Sequence, residues 1–137
     1  MSSILVFALL IASVLASSPC KLGEKTAKGS YYQECLPKFT VKGCYAKWEE
    51  NEANKYLSHG EFSDRFYKNQ DVGFRYKCDV TDKYIEFAPI GCILRKNGNT
   101  ELLSLGASGE LANKQTVKCN QGDNGSFTFE FGDSPSY

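Results

Sequence analysis

The clearest structural pattern in this chain is Phe74-Arg75-Tyr76-Lys77-Cys78, which is followed by Tyr84-Ile85-Glu86-Phe87 and closed by Gly91-Cys92. Three apolar side chains in the first segment alternate with Arg75 and Lys77, which is the period of a strand with one apolar and one polar face. A polar turn at 79–82 separates the two segments. The stretch therefore predicts an antiparallel pair of strands in which each strand ends near a cysteine.

Weaker copies of this stretch lie before and after it, at 31–43 and 115–132. In each copy a strand-like segment runs into a cysteine, and a second strand then runs to a glycine. The cysteine and that glycine lie 13 positions apart in the second and third copies and 8 apart in the first. A glycine, a polar residue and a large apolar residue precede each copy, beginning at Gly29, Gly60 and Gly109. These features predict three unequal repeats at 20–43, 44–91 and 92–132, with a tail at 133–137.

The first residues predict a cleaved signal peptide at 1–16. Positions 4–15 are an almost unbroken apolar run that is too short to span a bilayer, and Val14 and Ala16 are small enough for a cleavage site. Other runs in the sequence are shorter or more polar. We therefore expect a secreted, extracellular chain without membrane insertion.

An even number of cysteines follows the predicted cleavage point, which favours a disulfide framework in a short exported chain. The cysteines are Cys20, Cys35, Cys44, Cys78, Cys92 and Cys119. The repeats favour pairing in sequence order, whereas joining neighbouring strands, 35 with 44 and 78 with 92, is the main alternative. Each repeat is too small to bury a large core, and each closure contributes on the order of 3 kcal/mol. The sequence lacks a Cys-x-x-Cys pair and has a single histidine, so we expect no metal site.

Charge and catalytic motifs exclude several classes of function. The 16 basic and 16 acidic residues balance, so no large positive field is available for binding nucleic acid. His59 lies between Ser58 and Gly60-Glu61, but neighbouring side chains on a strand point apart and cannot form a triad. The acidic residues at 49–52 are close in sequence, in a segment expected to form an exposed loop or a short helical turn. A glycosidase needs two carboxylates that face each other across a deep cleft. We expect neither an enzyme nor a cofactor.

The aromatic residues supply the candidate binding face. A small protein cannot bury all its aromatic side chains, and exposed ones mark partner surfaces. The middle repeat presents Trp48, Tyr67 and Tyr84, which we predict to form the interaction face. Asn124-Gly125-Ser126 is the single N-glycosylation sequon of the chain, and Asn124 is the predicted acceptor.

The order of Cys44, His59-Gly60-Glu61-Phe62, the strand ending at Cys78, and Gly91-Cys92 resembles the fibronectin type I-like domain of the nematode abnormal-cell-migration protein family. The similarity is strongest over 44–92 and looser over the other two repeats. It implies small antiparallel β modules that are secreted and serve matrix or cell-surface interactions without catalysis. It also implies that the first and second cysteines of each repeat pair. The third repeat lacks the closing cysteine of the pattern.

The sequence thus predicts an all-β protein made of small disulfide-linked antiparallel modules in tandem. The leading hypothesis is a secreted, non-enzymatic protein that binds extracellular protein or glycan. The alternative is a secreted inhibitor or effector directed at a protease or another target protein. An exposed loop at 45–59 or 93–108 would then be the inhibitory segment.

Overall fold

The computed structural model describes residues 20–132, which consist of β-strands and the turns between them, so the all-β prediction is confirmed. The predicted signal peptide at 1–16 and the tail at 133–137 lie outside the described residues. The strands are β1 (Lys25–Lys28), β2 (Tyr31–Cys35), β3 (Phe39–Ala46), β4 (Lys55–Leu57), β5 (Phe62–Phe66), β6 (Val72–Val80), β7 (Ile85–Lys96), β8 (Asn99–Leu103), β9 (Ser108–Glu110), β10 (Thr116–Gln121) and β11 (Phe127–Phe131).

The strands form three antiparallel sheets, which we call A (β1-β2-β3-β4), B (β5-β6-β7-β8) and C (β9-β10-β11). The alternating stretch at 74–92 forms the β6–β7 hairpin at the centre of sheet B. Both strands run farther than predicted. Strand β6 continues past Cys78 to Val80, and β7 passes through Cys92 to Lys96, so neither cysteine ends a strand.

Three disulfides join the cysteines in sequence order, and the alternative pairing of neighbouring strands does not form. The bonds are Cys20–Cys35, Cys44–Cys78 and Cys92–Cys119. The second of these connects β3 of sheet A to β6 of sheet B, and the third connects β7 of sheet B to β10 of sheet C. Two of the three bonds therefore tie one sheet to the next.

Each inter-sheet disulfide lies in a small hydrophobic core. The core between sheets A and B contains Cys44, Ala46, Leu57 and Cys78, with Trp48, Val80, Ile85 and Phe87 packed against it. The core between sheets B and C contains Val72, Cys92, Leu94, Leu103, Val117 and Cys119. All four cysteines of these two bonds are fully buried. Neither core is large, which is why a covalent bond at its centre matters for stability.

Strands β3 and β7 each contain a β-bulge, and in β7 the bulge brings the core side chains before and after it to one face. The pairing of β7 with β6 skips Ile90, and the pairing of β3 with β2 skips Lys42. An extra residue shifts the side-chain alternation by one position. Phe87 and Cys92 therefore point to the same side of sheet B, although strict alternation would place them on opposite sides.

The sheets do not divide the chain where the predicted repeats divide it. The boundaries at 43/44 and 91/92 fall inside β3 and β7. The first part of each strand pairs with the preceding strand, whereas its last part pairs with β4 or β8. Consecutive repeats thus share an uninterrupted strand, and the division into three separate modules stays a prediction.

One turn recurs in all three repeats, at 21–24, 58–61 and 104–107. Its third position is Gly23, Gly60 or Gly106, with φ of 84°, 87° and 83°, as a type II turn requires. The glycine N–H donates to the carbonyl of the second cysteine of the repeat, with N···O distances of 3.0, 2.7 and 2.7 Å. Each turn thus fixes the start of a sheet against the strand that carries the disulfide.

The predicted equivalence of Gly29 and Gly109 with Gly60 is wrong. Gly29 lies in the two-residue loop between β1 and β2, and Gly109 lies inside β9. The spacing to a nearby apolar residue suggested the match, but Gly29, with φ of 64°, closes a hairpin inside sheet A, and Gly109 has no positive φ as the turn requires. Sequence spacing alone does not encode that requirement.

The two candidate inhibitory loops differ in the structure. Residues 49–52 form a turn and 55–57 form β4, so an exposed segment remains between β3 and β4. Most of 93–108 belongs instead to β7, β8 and β9, and Leu94 and Leu103 are buried. The prediction of an exposed loop at 93–108 is wrong, because most of it forms strands and Leu94 and Leu103 supply the core between sheets B and C.

Candidate functional site

Trp48 follows β3 and packs on the face of sheet B that carries the core shared with sheet A. Its ring stacks on Phe87 at a centroid distance of 5.7 Å and packs on Tyr76 at 4.8 Å. The indole N–H donates to the hydroxyl of Ser63 with an N···O distance of 3.2 Å. Ser63 is buried, so this bond satisfies a polar group that would otherwise be costly to bury. These contacts hold the half-buried indole in one position.

A turn at 49–52 positions acidic residues beside the indole. The Glu52 carboxylate accepts the backbone N–H groups of Trp48 and Glu49 at 3.0 and 3.4 Å, and the Glu52 N–H donates to the Glu49 carbonyl at 3.1 Å. The side chain of Glu52 thus holds the turn closed. Glu49 and Glu50, which are exposed, therefore have a fixed position on the surface.

Strand β5 supplies the opposite wall. The Arg65 guanidinium lies over the Trp48 ring, with its central carbon 5.0 Å from the centroid. Tyr67, which follows β5, is 48% exposed and packs edge-on against Phe74. The space between the two walls is an open groove of about 770 Å³, which we call the Trp48 groove. Its lining residues are Trp48, Glu49, Glu50, Asn51, Arg65, Phe66, Tyr67 and Lys68.

All three arginines of the chain stack on aromatic rings of or beside sheet B. Arg75 lies over Phe62 and also forms a bidentate pair with Asp64, at 2.7 and 2.9 Å. The hydrogen bond to Asp64 raises the pKa of Arg75 above its usual value. This guanidinium is neutralised within the sheet.

Arg65 and Arg95 differ from Arg75, because neither forms an ion pair with any residue among 20–132. Arg95 lies 3.9 Å from the centroid of the Phe66 ring. A neighbouring hollow of about 520 Å³ shares much of the lining of the Trp48 groove and reaches Asp71 and Arg95. The aromatic rings hold these cations in place without consuming their charge.

The structure brings two of the three predicted binding residues together. Trp48 and Tyr67 line the Trp48 groove. Tyr84 is 55% exposed but lies after the far end of β6, in a separate hollow with Tyr31 and Val41. Arg65 was not among the predicted binding residues. Ser63 and Arg65 alternate along β5 and so share one face of the strand, but that face becomes a wall of the groove only because Trp48 packs beside it.

His59 occupies the second position of the turn at 58–61 and is exposed. Its Nδ1 accepts the backbone N–H of Val80 with an N···N distance of 2.9 Å. The contact fastens the turn to the end of β6. This side chain therefore has a structural task in the fold.

Among residues 20–132, no cluster of three or more His, Cys, Asp or Glu side chains is arranged to hold a metal ion. In the same range, no helix is both long and apolar enough to cross a membrane.

Three sheets and three disulfides define the chain as a small, disulfide-rich all-β protein. Intramolecular disulfides of this density are typical of extracellular proteins. Comparison of the chain with known protein families, curated proteins and solved structures finds no match. The similarity to the fibronectin type I-like domain therefore stays a prediction.

Proposed function

We propose that this chain is a secreted, non-enzymatic protein that binds a matrix or cell-surface partner through the Trp48 groove. The observation that carries the proposal is the stacking of Arg65 on Trp48 beside the exposed ring of Tyr67. Tryptophan, tyrosine and arginine are the residue types enriched at the centres of protein interfaces. Rigid rings and a stacked guanidinium also lose little conformational entropy on binding.

The charges around the groove favour a protein over a sulfated glycan as the partner. Arg65 and Lys68 lie beside Glu49 and Glu50 on the lining. A polyanion is attracted by a field of one sign, whereas mixed charges complement a protein surface that carries both signs. The partner we propose is therefore an extracellular protein, and a glycan is the outcome that the test must exclude.

The test is retention of the purified chain on immobilised basement-membrane extract at physiological salt. We expect Tyr67→Ala and Arg65→Ala to weaken retention by about tenfold or more, because they remove groove contacts that a partner would bury. Tyr84→Ala is the matched control, since Tyr84 is 55% exposed against 48% for Tyr67 but lies outside the groove. We expect this control to bind as the wild type does.

Three results would count against the proposal. Free passage of the wild type through the extract would remove matrix binding. Retention on heparin resin, with loss of binding to the protein fraction, would identify a glycan instead. A stoichiometric complex with a protease, broken by changes at 49–51, would favour the inhibitor hypothesis, because that exposed turn forms one lip of the groove.

A further inference from the structure

Sheet C has an open edge along β11. This strand pairs only with β10, so one side of its backbone faces away from the sheet. Backbone hydrogen bonds from Gly122 to Ser126 and from Gly132 to Thr116 set the alternation of the hairpin. By that alternation, the N–H and C=O groups of the three phenylalanines of β11 point away from β10. They have no partner among residues 20–132.

The equivalent strands of the other two repeats are edge strands only in part, because β3 pairs with β4 from Cys44 onward and β7 pairs with β8 from Cys92 onward. The part of each strand before these residues has a free edge and contains features that hinder pairing with another strand. Strand β3 has a bulge at Lys42, and β7 has a bulge at Ile90 next to Pro89, which lacks an N–H group. Bulges, lysines and prolines are common protections of exposed edges. Strand β11 has a regular register and none of these features. Its single charge, Glu130, accepts a hydrogen bond from Asn120 of the adjacent strand.

The loop that leads into β11 carries the sequon Asn124-Gly125-Ser126, and all three residues are exposed. The side-chain oxygen of Asn124 accepts the N–H of Ser126 at 3.2 Å and also its hydroxyl. This is a compact Asx turn at the tip of a hairpin. The side-chain NH₂ group of Asn124 makes no hydrogen bond with residues 20–132, so it is accessible for modification.

We propose that Asn124 carries an N-linked glycan, and that this glycan keeps second copies of the chain away from the open edge of β11. The proposal rests on the proposed secretion, because the modification occurs in the secretory pathway. A bond forms between Nδ2 of Asn124 and C1 of an oligosaccharide carried on a lipid diphosphate. The bond from C1 to the diphosphate oxygen breaks, the lipid diphosphate leaves, and Nδ2 loses one proton without redox change.

The position of Asn124 suits this protective role. Strand β11 has five residues and so extends over about 17 Å. Asn124 lies three positions before its first residue. A strand of another copy that paired along β11 would lie next to the hairpin tip, within reach of a bulky, hydrated oligosaccharide on Asn124.

The modification is tested on the full chain recovered from the medium of eukaryotic cells. We expect an amidase that removes N-linked glycans to increase its electrophoretic mobility and to convert Asn124 to aspartate. Asn124→Gln and Ser126→Ala should abolish the shift, and Ser126→Thr should retain it. A secreted chain that is unmodified at Asn124 would overturn the proposal. Absence of the chain from the medium would overturn the secretion on which it rests.

The protective role is tested by the association state of the glycosylated, enzymatically deglycosylated and Asn124→Gln forms, measured by light scattering. We expect the two unglycosylated forms to self-associate and the glycosylated form to remain monomeric. Adding Thr128→Lys, which charges the exposed edge strand, should restore the monomer, whereas Thr100→Lys on the edge strand β8 should not. Monomeric behaviour of all three forms, or equal rescue by both lysines, would overturn the role assigned to the β11 edge.

Discussion

At the scale of single residues, the burial of Tyr32 predicts a loss of stability at alkaline pH. The ring is 8% exposed and packs edge-on against Tyr56 at 4.9 Å. Burial raises the pKa of Tyr32 above its usual 10.0, and the negative charges of Glu34 and Glu61 raise it further. The folded state therefore holds the phenolic proton to a higher pH than the unfolded state does.

The expected consequence is a loss of stability above about pH 10, where an unfolded tyrosine already releases its proton. Below that pH both states are protonated, so this contribution is fully present. Denaturant midpoints at pH 8 and pH 11 measure it. We expect the denaturant midpoint of Tyr32→Phe to fall less between pH 8 and pH 11 than the midpoint of the wild type does. An identical fall in both proteins would show that Tyr32 has no part in it.

At the scale of structural elements, the recurring turn links each sheet to its disulfide strand. The turn at 58–61 depends on Gly60, which has φ of 87° and open space where a Cβ would lie. Its N–H donates to the Cys78 carbonyl at 2.7 Å. The cost of a side chain at this position is thus conformational and not steric.

We expect Gly60→Ala to lower the free energy of unfolding by about 1–2 kcal/mol, the cost of a left-handed backbone for a residue with a Cβ. Gly122→Ala is the control, because Gly122 lies in a loop without a positive φ and its Cβ would meet neighbours only at 3.4 Å or more. That change should stay within about 0.5 kcal/mol. Equal effects in urea denaturation would contradict the role given to Gly60.

At the scale of the whole molecule, sheet B couples the two cores. Strand β6 contributes Cys78 to the core with sheet A and Val72 to the core with sheet C. Strand β7 likewise carries Phe87 against the first core and Leu94 in the second. A change in one core is therefore transmitted through continuous strands to the other, and we expect residues 20–132 to unfold as one cooperative unit.

This coupling is testable with Val117→Ala, which removes two methyl groups from a side chain that is 1% exposed in the core between sheets B and C. We expect a loss of about 2 kcal/mol. The single tryptophan, Trp48, reports on the other core by fluorescence. In Val117→Ala, the unfolding midpoint measured by Trp48 fluorescence should fall by the same amount as the midpoint measured by circular dichroism. An unchanged tryptophan midpoint would show that the two cores unfold independently.

Some features were predictable because they depend on neighbouring residues alone. The alternation at 74–78 marks a strand wherever that strand pairs, since side chains alternate with a period of two. Asn-Gly pairs favour tight hairpin turns, and Asn97 and Gly98 both have positive φ in the turn between β7 and β8. Trp48 and Tyr67 were selected as candidate binding residues by their aromatic character, but the same reasoning selected Tyr84, which lies outside the Trp48 groove.

The Trp48 groove itself could not be predicted, because its walls come from segments that are apart in sequence. Arg65 is an ordinary charged residue of a strand until β5 and the segment after β3 are placed side by side. Tyr84 belongs to the same predicted repeat as Trp48 and Tyr67, but it lies beyond the far end of β6 and outside the groove. Proximity within a repeat does not determine proximity in space.

The all-β class, the strands around the cysteines, the position of several turns and the use of disulfides in so small a protein could all be predicted from the amino-acid order. These follow from side-chain period, backbone preference and chain length, which are local or global properties of the chain. Three features are visible only in the folded chain: two disulfides join different sheets, a bulge at Ile90 aligns the core side chains of β7, and Trp48 meets Arg65. Those features depend on the register and pairing of distant strands, which a single residue's chemistry does not encode.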